Sequence, residues 1–589
     1  MSGYQPPLED INFVLNHIAG LGNVAKLNGF QHADPATVEG LLEEAGRFFS
    51  EVMAPLNRSG DEQGSRLVGD VVVTPDGFAE AYQKYVDSGW SSAHLPEEWF
   101  GGGLPYTVGI VIQEMFKAAN MGFSLCAMLT QGAADALIAH GTDEQKQLYL
   151  EKLASAKWSG TMNLTEPEAG SDVGALRCRA ERSDDGTYRI FGTKIFITWG
   201  DQDLTENVIH LVLARTPDAP ARTRGISMFI VPKFIPDADG NPGDRNDLKI
   251  VSLEHKLGIH ASPTCVVSFG DAGEGAVAYL LGNEQEGMRN MFTMMNEARI
   301  GVGLEGLAIT DRAYQHALAY AYDRVQGRKS GSESTEDVAI VEHPDVRRML
   351  LTMKAYSQAM RAILYYTASE SDYANHSDDP DRRKHASDRV AVLTPLVKAW
   401  CSDVGVEMAS LGLQVHGGMG YVEETGAAQH LRDSRIAPIY EGTNGIQAID
   451  LLTRKLTIEN GGVVRRMFAE IEETCAEMAS HEELAAFGAE LSRALECVAD
   501  TSEWLLTKLS GGDIDDALAG ATPYLRQLAT VLSAWLMARG AIAAVANESE
   551  FSRDKVTVAR FYGEHLLPQA NGLAPTIKGG ASLLEAADL

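Results

Sequence analysis

The hydrophobic period of this sequence changes twice, and this change restricts the fold more than any other feature. From Glu9 to about Lys157, segments such as "TVEGLLEEAGRFFSEVMAPL" and "GIVIQEMFKAAN" space apolar residues at three and four, which predicts amphipathic helices. Between about Ser159 and Gly287 the period becomes two in "YRIFGTKIFIT", "VIHLVLART" and "PTCVVSF", which predicts strands. Helical spacing then returns. A β domain is therefore expected inside a mainly helical chain.

The helical segments after the strands are long, as in "MRNMFTMMNEARIGVGLEGLAITDRAYQHALAYAYDRVQG" and "LTPLVKAWCSDVGVEMASLGLQVHG". Long antiparallel helices of this sort usually form a bundle. From about Asn460 onward the sequence is Ala-rich and helical, which indicates an added module. We predict four domains: an N-terminal helical domain over 1–157, a β domain over 158–286, a helical bundle over 287–459 and an additional helical domain over 460–589.

The acidic composition of the chain argues against binding partners that are themselves strongly negative. The 589 residues include 81 acidic and 50 basic side chains, and the formal net charge of −31 repels phosphates and anionic lipid. Nucleic acid and membrane surfaces are therefore not expected partners. The N-terminus lacks a basic region, and no uninterrupted apolar stretch reaches ~18 residues, so we expect a cytoplasmic protein. The cysteines are scattered without metal-ligand spacing and are expected to be buried thiols: Cys126, Cys178, Cys265, Cys401, Cys475 and Cys497.

One motif match is misleading. Gly301, Gly303 and Gly306 in "GVGLEG" fit the G-x-G-x-x-G pattern of dinucleotide-binding turns. Such a turn must follow a buried strand, so that the next helix points its N-terminus at a pyrophosphate. The preceding "MFTMMNEARI" is Met-rich and helical. Close packing of two helices explains these glycines better.

Two polar segments are candidates for ligand binding. "MNLTEPEAGSD", from Met162 to Asp172, offers hydroxyls and free backbone N–H groups, which suit an anionic or heteroaromatic ligand. A polar interdomain turn explains the same composition equally well. "GTKIFITWG", from Gly192 to Gly200, predicts a strand that ends in a hydroxyl, an aromatic ring and a glycine. A plain half-buried strand is the simpler interpretation of that segment.

The last part of the predicted bundle contains two further features. "QVHGGMGYVEETG" holds several glycines, each of which costs about 1 kcal/mol relative to Ala inside a helix, so either a group approaches that backbone or the helix ends there. In "RIAPIYEGTNGIQ", Glu441 precedes Gly442 and Thr443, whereas a helix capping box would place Thr first and the acid later. Glu441 is therefore either a solvated loop acid or a base held in a pocket.

Taken in order, these segments resemble the acyl-CoA dehydrogenase family from about Gly40 to Lys455. The length and the C-terminal helical module resemble a large bacterial subclass of that family. The segments that carry the resemblance are "LPEEWFGGG", "HGTDEQKQLYLEKLASAKWSGTMNLTEPEAGSD", "GTKIFITWG", "HKLGIHASPT", "NEARIGVGLEGLA", "YDRVQGR" and "QVHGGMGYVEETGAAQHLRDSRIAPIYEGTNGIQ".

The resemblance implies a mainly α fold with an inserted β domain: an N-terminal helical domain, a middle β-barrel or sandwich, a C-terminal four-helix bundle and the extra helical domain. It implies FAD between the β domain and the bundle, and a homo-oligomer, with a dimer expected, in which the partner subunit completes each flavin site. The residues matching the family's flavin contacts are Leu164, Thr165, Gly170, Ser171, Phe196, Ile197, Thr198, Arg324, Gln414, Gly417, Gly418, Thr443 and Gln447.

Glu441 matches the catalytic glutamate of the family, and the resemblance implies that it removes the α-proton of an acyl-CoA thioester while the β-hydrogen leaves as hydride to the flavin. A base for this step needs a pKa raised by desolvation. Some members carry the base directly before the arginine that matches Arg299, but that position is Ala298 here, and Glu297 points about 100° away on a helix. Glu441 is therefore the expected base, with Arg299 supporting its loop.

The likeness to the large bacterial subclass implies 3-methylmercaptopropionyl-CoA as substrate, with methylthioacryloyl-CoA as product and an electron-transfer flavoprotein as electron acceptor. A short- or medium-chain fatty acyl-CoA is the alternative substrate. An acyl-CoA oxidase would use the same base and flavin. A DNA-binding alkylation-response flavoprotein shares the scaffold, but the residues from Asn460 onward contain more acidic than basic side chains, which opposes DNA binding.

Overall fold

The computed structural model describes residues 3–331, 333 and 335–588. Helices precede and follow a strand-rich middle segment, in the order predicted from the hydrophobic period, and short 3₁₀ and π turns connect several of them. The α-helices are Leu8–Val14, Leu21–Val24, Pro35–Phe48, Leu56–Gln63, Phe78–Ser88, Tyr106–Ala119, Met121–His140, Asp143–Ala154, Gly287–Asp323, Pro344–His376, Pro380–His416, Ala427–Ser434, Asn444–Asp450, Gly462–Met478, Ala485–Gly511, Ile514–Ala519, Ala521–Val545, Glu550–Phe561, Pro568–Asn571, Ala574–Lys578 and Ser582–Ala586.

Among the described residues, the strands form one large sheet and two hairpins. Neighbouring strands of the large sheet are antiparallel along most of it, and Trp158–Asn163 pairs in parallel with Asn207–Arg215. Arg179–Arg182 pairs beside the main path with two of its strands. The hairpins are Arg66–Val68 with Val71–Val73 and Phe234–Pro236 with Pro242–Arg245. The order of the large sheet is Leu248–Leu253, Thr264–Phe269, Tyr188–Thr198, Ala276–Leu280, Ile226–Pro232, Asn207–Arg215 and Trp158–Asn163.

Two strands of this sheet differ from the alternating pattern expected of them. Every residue of Ile226–Pro232 is buried, as is every residue of Asn207–Arg215 except the last. Both strands lie inside the sheet rather than at its edge, and a strand covered on both faces becomes a continuous apolar run. The period of two therefore identified the strands correctly but overstated how much of each faces solvent.

The chain divides into two compact units. The helical unit consists of the described residues up to Gly46, Pro105–Glu114 and the residues from Arg299 onward; the strand-rich unit consists of Arg47–Leu104 and Met115–Ala298. The module after Asn460 belongs to the same compact unit as the helical bundle. The four domain boundaries stay a prediction from the sequence.

Glycines bring two helices of the helical unit into backbone contact. A Cβ atom added to Gly306 would lie 2.0 Å from the carbonyl oxygen of Cys401, and one added to Gly303 would lie 2.7 Å from that of Val397. Both glycines lie well inside the helix Gly287–Asp323, so helical residues and not a strand lead directly into them. The interpretation of "GVGLEG" as a helix-packing motif is therefore confirmed, because a side chain at either position would separate the two backbones.

A buried group of charges joins distant parts of the helical unit. The guanidinium of Arg361 lies 2.5 Å from the carboxylate of Asp10 and 2.7 Å from that of Glu114. Lys555 donates to the same Asp10 at 2.6 Å, and the hydroxyl of Tyr365 donates to Glu114 at 2.6 Å. Asp10 and Lys555 are 545 residues apart in sequence. The C-terminal module and the N-terminal segment therefore share one internal ion network.

Within the part of the chain that the structure describes, two helices are long and apolar enough to cross a bilayer, Met121–His140 and Ala521–Val545, but 83% and 78% of their most apolar windows are buried inside the protein. This burial is typical of helices in the core of a domain.

The six cysteines are free thiols. Four are buried as expected, but the expectation was wrong for Cys475 and Cys497, which lie near the surface of the C-terminal module and are partly exposed.

Replacing Gly306 with alanine should destabilise the protein by about 3 kcal/mol, because the new methyl group would collide with a backbone oxygen that cannot rotate away. Gly40→Ala is the matched control, since this glycine is exposed inside the helix Pro35–Phe48 with nothing near its Cβ position. The control should gain about 0.5–1 kcal/mol from helix propensity. Thermal unfolding followed by circular dichroism measures both, and equal midpoints for the two variants would contradict the packing described.

Candidate functional site

Glu441 lies in the connection between two helices, residues 435–443, which we call the turn of Glu441. The helix Ala427–Ser434 ends before it, and Asn444–Asp450 begins after it. Glu441 has a left-handed backbone with φ of 56°, and Gly442 follows with φ of 80°. A non-glycine residue in this conformation costs roughly 1–2 kcal/mol, so neighbouring contacts must hold it. Thr443, not Glu441, caps the next helix, since its hydroxyl accepts from the backbone N–H of Ile446 at 3.3 Å. The carboxylate is therefore not a helix cap.

Two side chains hold the backbone of this turn. The amide of Gln447 donates to the carbonyl oxygens of Glu441 and Gly442, both at 3.2 Å. The ammonium of Lys398 donates to the same oxygen of Gly442 at 2.8 Å and to Oδ1 of Asn444 at 2.8 Å. Lys398 is completely buried on the helix Pro380–His416. Through Lys398, this helix therefore holds the backbone of the turn that carries Glu441.

Asn444 extends the connection from the turn to the same helix. Its Nδ2 donates to the carbonyl oxygen of Ala399 at 3.1 Å, to the hydroxyl of Ser402 at 3.0 Å and to the carboxylate of Asp403 at 2.8 Å. The side chain of Asn444 is buried, where each unmade hydrogen bond would cost about 1–3 kcal/mol. The turn that carries Glu441 is thus preorganised by a polar network.

The electrostatic surroundings of Glu441 suit a base. Burial raises the pKa of Glu441 to about 7, while the charges of Arg299 and Lys398 oppose this rise. Burial also lowers the pKa of Lys398 to about 8 and lowers the pKa of Arg299 below its usual range. A Cβ atom added to Gly442 would lie 3.9 Å from the guanidinium of Arg299, which places that residue beside the turn. A carboxyl group that titrates near neutrality can accept a proton and release it.

The predicted flavin contacts of the helical unit that precede this turn in the sequence are exposed residues. Gly417 ends the helix Pro380–His416, so the glycine group is where that helix stops. Open space surrounds the Cβ positions of Gly417 and Gly418, and Gln414 is exposed one turn earlier. Arg324 is exposed and donates to Gln326 at 3.1 Å. Among the described residues, no hydrogen bond joins Arg324 or Gln414 to the turn of Glu441.

The predicted flavin segments of the strand-rich unit are joined by a buried ion pair. Lys194, which is completely buried, donates to the carbonyl oxygen of Leu164 at 2.8 Å and to the carboxylate of Glu166 at 2.7 Å. The backbone N–H of Ile195 donates to the carbonyl oxygen of Thr165 at 3.0 Å. Burial raises the pKa of Glu166, but the charge of Lys194 and the hydrogen bonds to the carboxylate hold it below its usual range. The loop and the strand therefore form one substructure.

The strand Tyr188–Thr198 changes register at Phe196. Ile197 pairs with Cys265, whereas Lys194 pairs with Val267, so the first strand holds one extra residue between these pairs. Such a β-bulge redirects a side chain. Phe196 accordingly has φ of 58° and is 57% exposed, while Ile197 is buried and Thr198 is partly exposed. Gly170 and Ser171 are exposed on the neighbouring loop. An exposed ring beside hydroxyls and free backbone is the surface expected for a heteroaromatic ligand.

These residues fit the implied FAD. In the strand-rich unit, an aromatic face lies beside hydroxyl groups and an open glycine. In the helical unit, Oε1 of Gln447 is a buried acceptor without a partner among the described residues, and open space surrounds the Cβ positions of Gly417 and Gly418. The buried amide offers a hydrogen bond to a polar ligand, and the glycines permit a close approach to the backbone.

Sequence reasoning missed Lys398, Asn444 and also Glu305, whose carboxylate accepts a hydrogen bond from the hydroxyl of Tyr440 beside Glu441. Lys398 interrupts the apolar run "LTPLVKAW", and Glu305 does the same in "GVGLEGLA". A charged residue inside such a run is rarely buried unless it is paired, and this was the available indication. Their partners, however, are tens to more than a hundred residues away, so the sequence does not identify them.

Comparison with known proteins finds the same family along the whole chain. The family model described as "Acyl-CoA dehydrogenase, N-terminal domain" matches residues 36–157, and the corresponding middle-domain and C-terminal-domain models match residues 161–272 and 285–456. A further model, "Acetyl-CoA dehydrogenase C-terminal like", matches residues 467–588. The added C-terminal module is thus part of a recurring arrangement.

Similar proteins cover most or nearly all of the chain. The chain is 44% identical over 595 residues to the 3-methylmercaptopropionyl-CoA dehydrogenase of Ruegeria pomeroyi, covering 99% of each protein. It is 33% identical to a butyryl-CoA dehydrogenase of Syntrophomonas wolfei, covering 98% of this chain and 97% of that protein. A chain in a solved structure described as the electron transferring flavoprotein of Acidaminococcus fermentans is 26% identical, with a TM-score of 0.58, and the match covers 70% of this chain and 96% of that one.

Replacing Lys194 with methionine should weaken the retention of FAD, because Glu166 would be left as a buried carboxylate without its cation. The loop would also lose the two hydrogen bonds that Lys194 donates to Leu164 and Glu166. Removing one member of a buried ion pair costs about 3–5 kcal/mol. The ratio of flavin to protein absorbance after dialysis measures the effect. Lys249→Met is the control in the same unit, since its ion pair with Asp271 is exposed. Equal flavin content in both variants would contradict this role of Lys194.

Proposed function

Because the chain belongs to the acyl-CoA dehydrogenase family, we propose that it oxidises 3-methylmercaptopropionyl-CoA to methylthioacryloyl-CoA. The protein is an FAD-dependent oxidoreductase that acts on acyl-CoA. The choice of acyl group is supported by the 44% identity to the Ruegeria dehydrogenase over nearly the full length of both proteins. The observation that carries the proposal is the turn of Glu441, where a partly buried carboxyl group with a pKa of about 7 is held by a fixed polar network.

Glu441 is the base of the proposed reaction. Its carboxylate takes the α-proton of the thioester and becomes a carboxylic acid. Removal of this proton requires a base that is close to the α-carbon and free of a tight hydration shell. Burial supplies the second condition, and the contacts from Lys398 and Gln447 to the backbone of the turn hold the carboxylate in place. The protein thus positions the base before substrate binds.

FAD, when bound, supplies the acceptor for the hydride that leaves the β-carbon as the α,β double bond forms. In the strand-rich unit, Leu164, Thr165, Gly170 and Ser171 would hold the cofactor through polar groups, and the bulge at Phe196 would set a ring against it. Ile197 and Thr198 would continue that strand. In the helical unit, Arg324, Gln414, Gly417, Gly418, Thr443 and Gln447 would provide the remaining contacts. Arg299 would support the turn of Glu441 through its positive charge.

Electron transfer and assembly complete the proposal. We expect an electron-transfer flavoprotein as the electron acceptor, and the similar solved structure named for the electron transferring flavoprotein of Acidaminococcus fermentans supports this kind of partner. We further propose a cytoplasmic homo-oligomer, with a dimer as the simplest form, working in the catabolism of dimethylsulfoniopropionate.

Glu441→Gln should keep the fold and FAD but lose turnover by at least about 100-fold, because an amide of the same shape cannot accept the α-proton. Glu477→Gln is the matched control, since Glu477 is exposed on a helix of the C-terminal module. Initial rates with an artificial electron acceptor, together with flavin content, measure both variants. A near-normal rate for Glu441→Gln would remove this residue from the mechanism.

A panel of thioesters tests the substrate. Mixed anaerobically with the protein, 3-methylmercaptopropionyl-CoA should bleach the flavin absorbance faster, and at lower concentration, than butyryl-CoA or octanoyl-CoA. If a fatty acyl thioester is preferred, the acyl group proposed here is wrong while the reaction class stands. If none of them bleaches the flavin, the dehydrogenase proposal fails. Hydrogen peroxide production at the full rate in air would indicate an oxidase instead.

A further inference from the structure

A second carboxylate is buried near the proposed base. Glu305 lies in the middle of the helix Gly287–Asp323, directly before the glycine that packs against Cys401, and its exposed fraction is 0%. Glutamate is almost never fully buried in a protein unless it is paired. Neither the family resemblance nor the proposed chemistry assigns this residue a role, so its position requires a separate explanation.

Glu305 contacts the residue that precedes the base. The hydroxyl of Tyr440 donates a hydrogen bond to Oε2 of Glu305, and Tyr440 is joined to Glu441 by a peptide bond. Burial, followed by the nearby charge of Glu305, raises the pKa of Tyr440 well above its usual range, so its hydroxyl stays a donor. This segment is therefore held by both charged residues, by Lys398 through Gly442 and Asn444 and by Glu305 through Tyr440.

The charges around Glu441 are of both signs. Arg299 and Lys398 favour its ionised form, and Glu305 opposes that form. The two cations are themselves faced by other acids, since Asp450 lies near Arg299 and Asp403 lies near Lys398. Two buried cations beside one carboxylate would form a strong ion pair and leave a weak base. Glu305 supplies the compensating negative charge from inside the bundle.

We propose that Glu305 is a positioning residue that sets Glu441 up as a base, by holding Tyr440 through its hydroxyl and by opposing the charges of Arg299 and Lys398. The inference rests on the proposed function, since it explains how the carboxylate stays able to accept a proton. A structural role alone would explain the buried hydrogen bond to Tyr440 but would predict no effect on the titration of Glu441.

The pH dependence of Glu305→Gln distinguishes these roles. The glutamine keeps the shape and an acceptor for Tyr440 but removes the negative charge. The wild-type rate constant kcat/KM should rise with pH around about 7, because Glu441 must be deprotonated to act. In Glu305→Gln this rise should move to lower pH by about one unit, since the remaining cations then favour the carboxylate. Glu305→Met, which also removes the charge, should shift the rise in the same direction.

Glu370→Gln is the matched control. Glu370 is also buried in the helical unit, but it is paired with Arg382 at 2.8 Å. This variant should leave the pH midpoint of kcat/KM unchanged. Midpoints of Glu305→Gln and Glu305→Met that both agree with the wild type would overturn the proposal, whatever the two substitutions do to stability.

An infrared titration separates this inference from the proposed function. The carboxyl C=O band that is present in the wild type and absent in Glu441→Gln reports the protonation of Glu441 without any substrate. Its titration midpoint should fall by about one pH unit in Glu305→Gln. A shifted band supports the role of Glu305 even if no thioester is oxidised, and an unshifted band overturns that role even if the thioester panel succeeds.

Discussion

Lys398 holds the turn that carries Glu441, and the proposed chemistry depends on this contact. A turn with two successive left-handed residues has little regular structure of its own, so a side chain from a long helix must hold it. Burying an ammonium group is costly, and its lowered pKa is a sign of that cost. The hydrogen bonds that Lys398 donates to Gly442 and Asn444 offset part of this cost. The same contacts therefore stabilise the lysine and position the base.

The balance of charge follows from this arrangement. A base must be dry enough to have a raised pKa, yet it must not be locked in an ion pair. Burial and the charge of Glu305 favour the protonated form of the Glu441 carboxyl group, while Arg299 and Lys398 favour its ionised form. Arg299, Lys398 and Glu305 are buried, so salt in solution screens their charges little. Groups buried inside the bundle therefore affect the pKa of the base.

The sequence predicted the order of helices and strands and the close packing at "GVGLEG", because each depends on local spacing. The functional role of the Glu441 segment, which was inferred from motifs in a fixed order, stays a prediction. It did not predict the partners of Lys398, Glu305 or Lys194, because these contacts join residues far apart in the chain. The bulge at Phe196 arises from pairing with a strand some seventy residues later. Burial of both faces of Asn207–Arg215 likewise depends on its place inside the sheet.

The network of Asp10, Arg361 and Lys555 has a consequence for synthesis of the protein. Lys555 leaves the ribosome 545 residues after Asp10. Asp10 therefore cannot contact both of its cations, Arg361 and Lys555, until almost the whole chain has been synthesised. An incomplete chain would hold charges that have no compensation inside the helical unit. The strand-rich unit ends at Ala298 and is released from the ribosome earlier. During translation, the strand-rich unit is therefore able to form first, whereas the helical unit closes only near the end of synthesis.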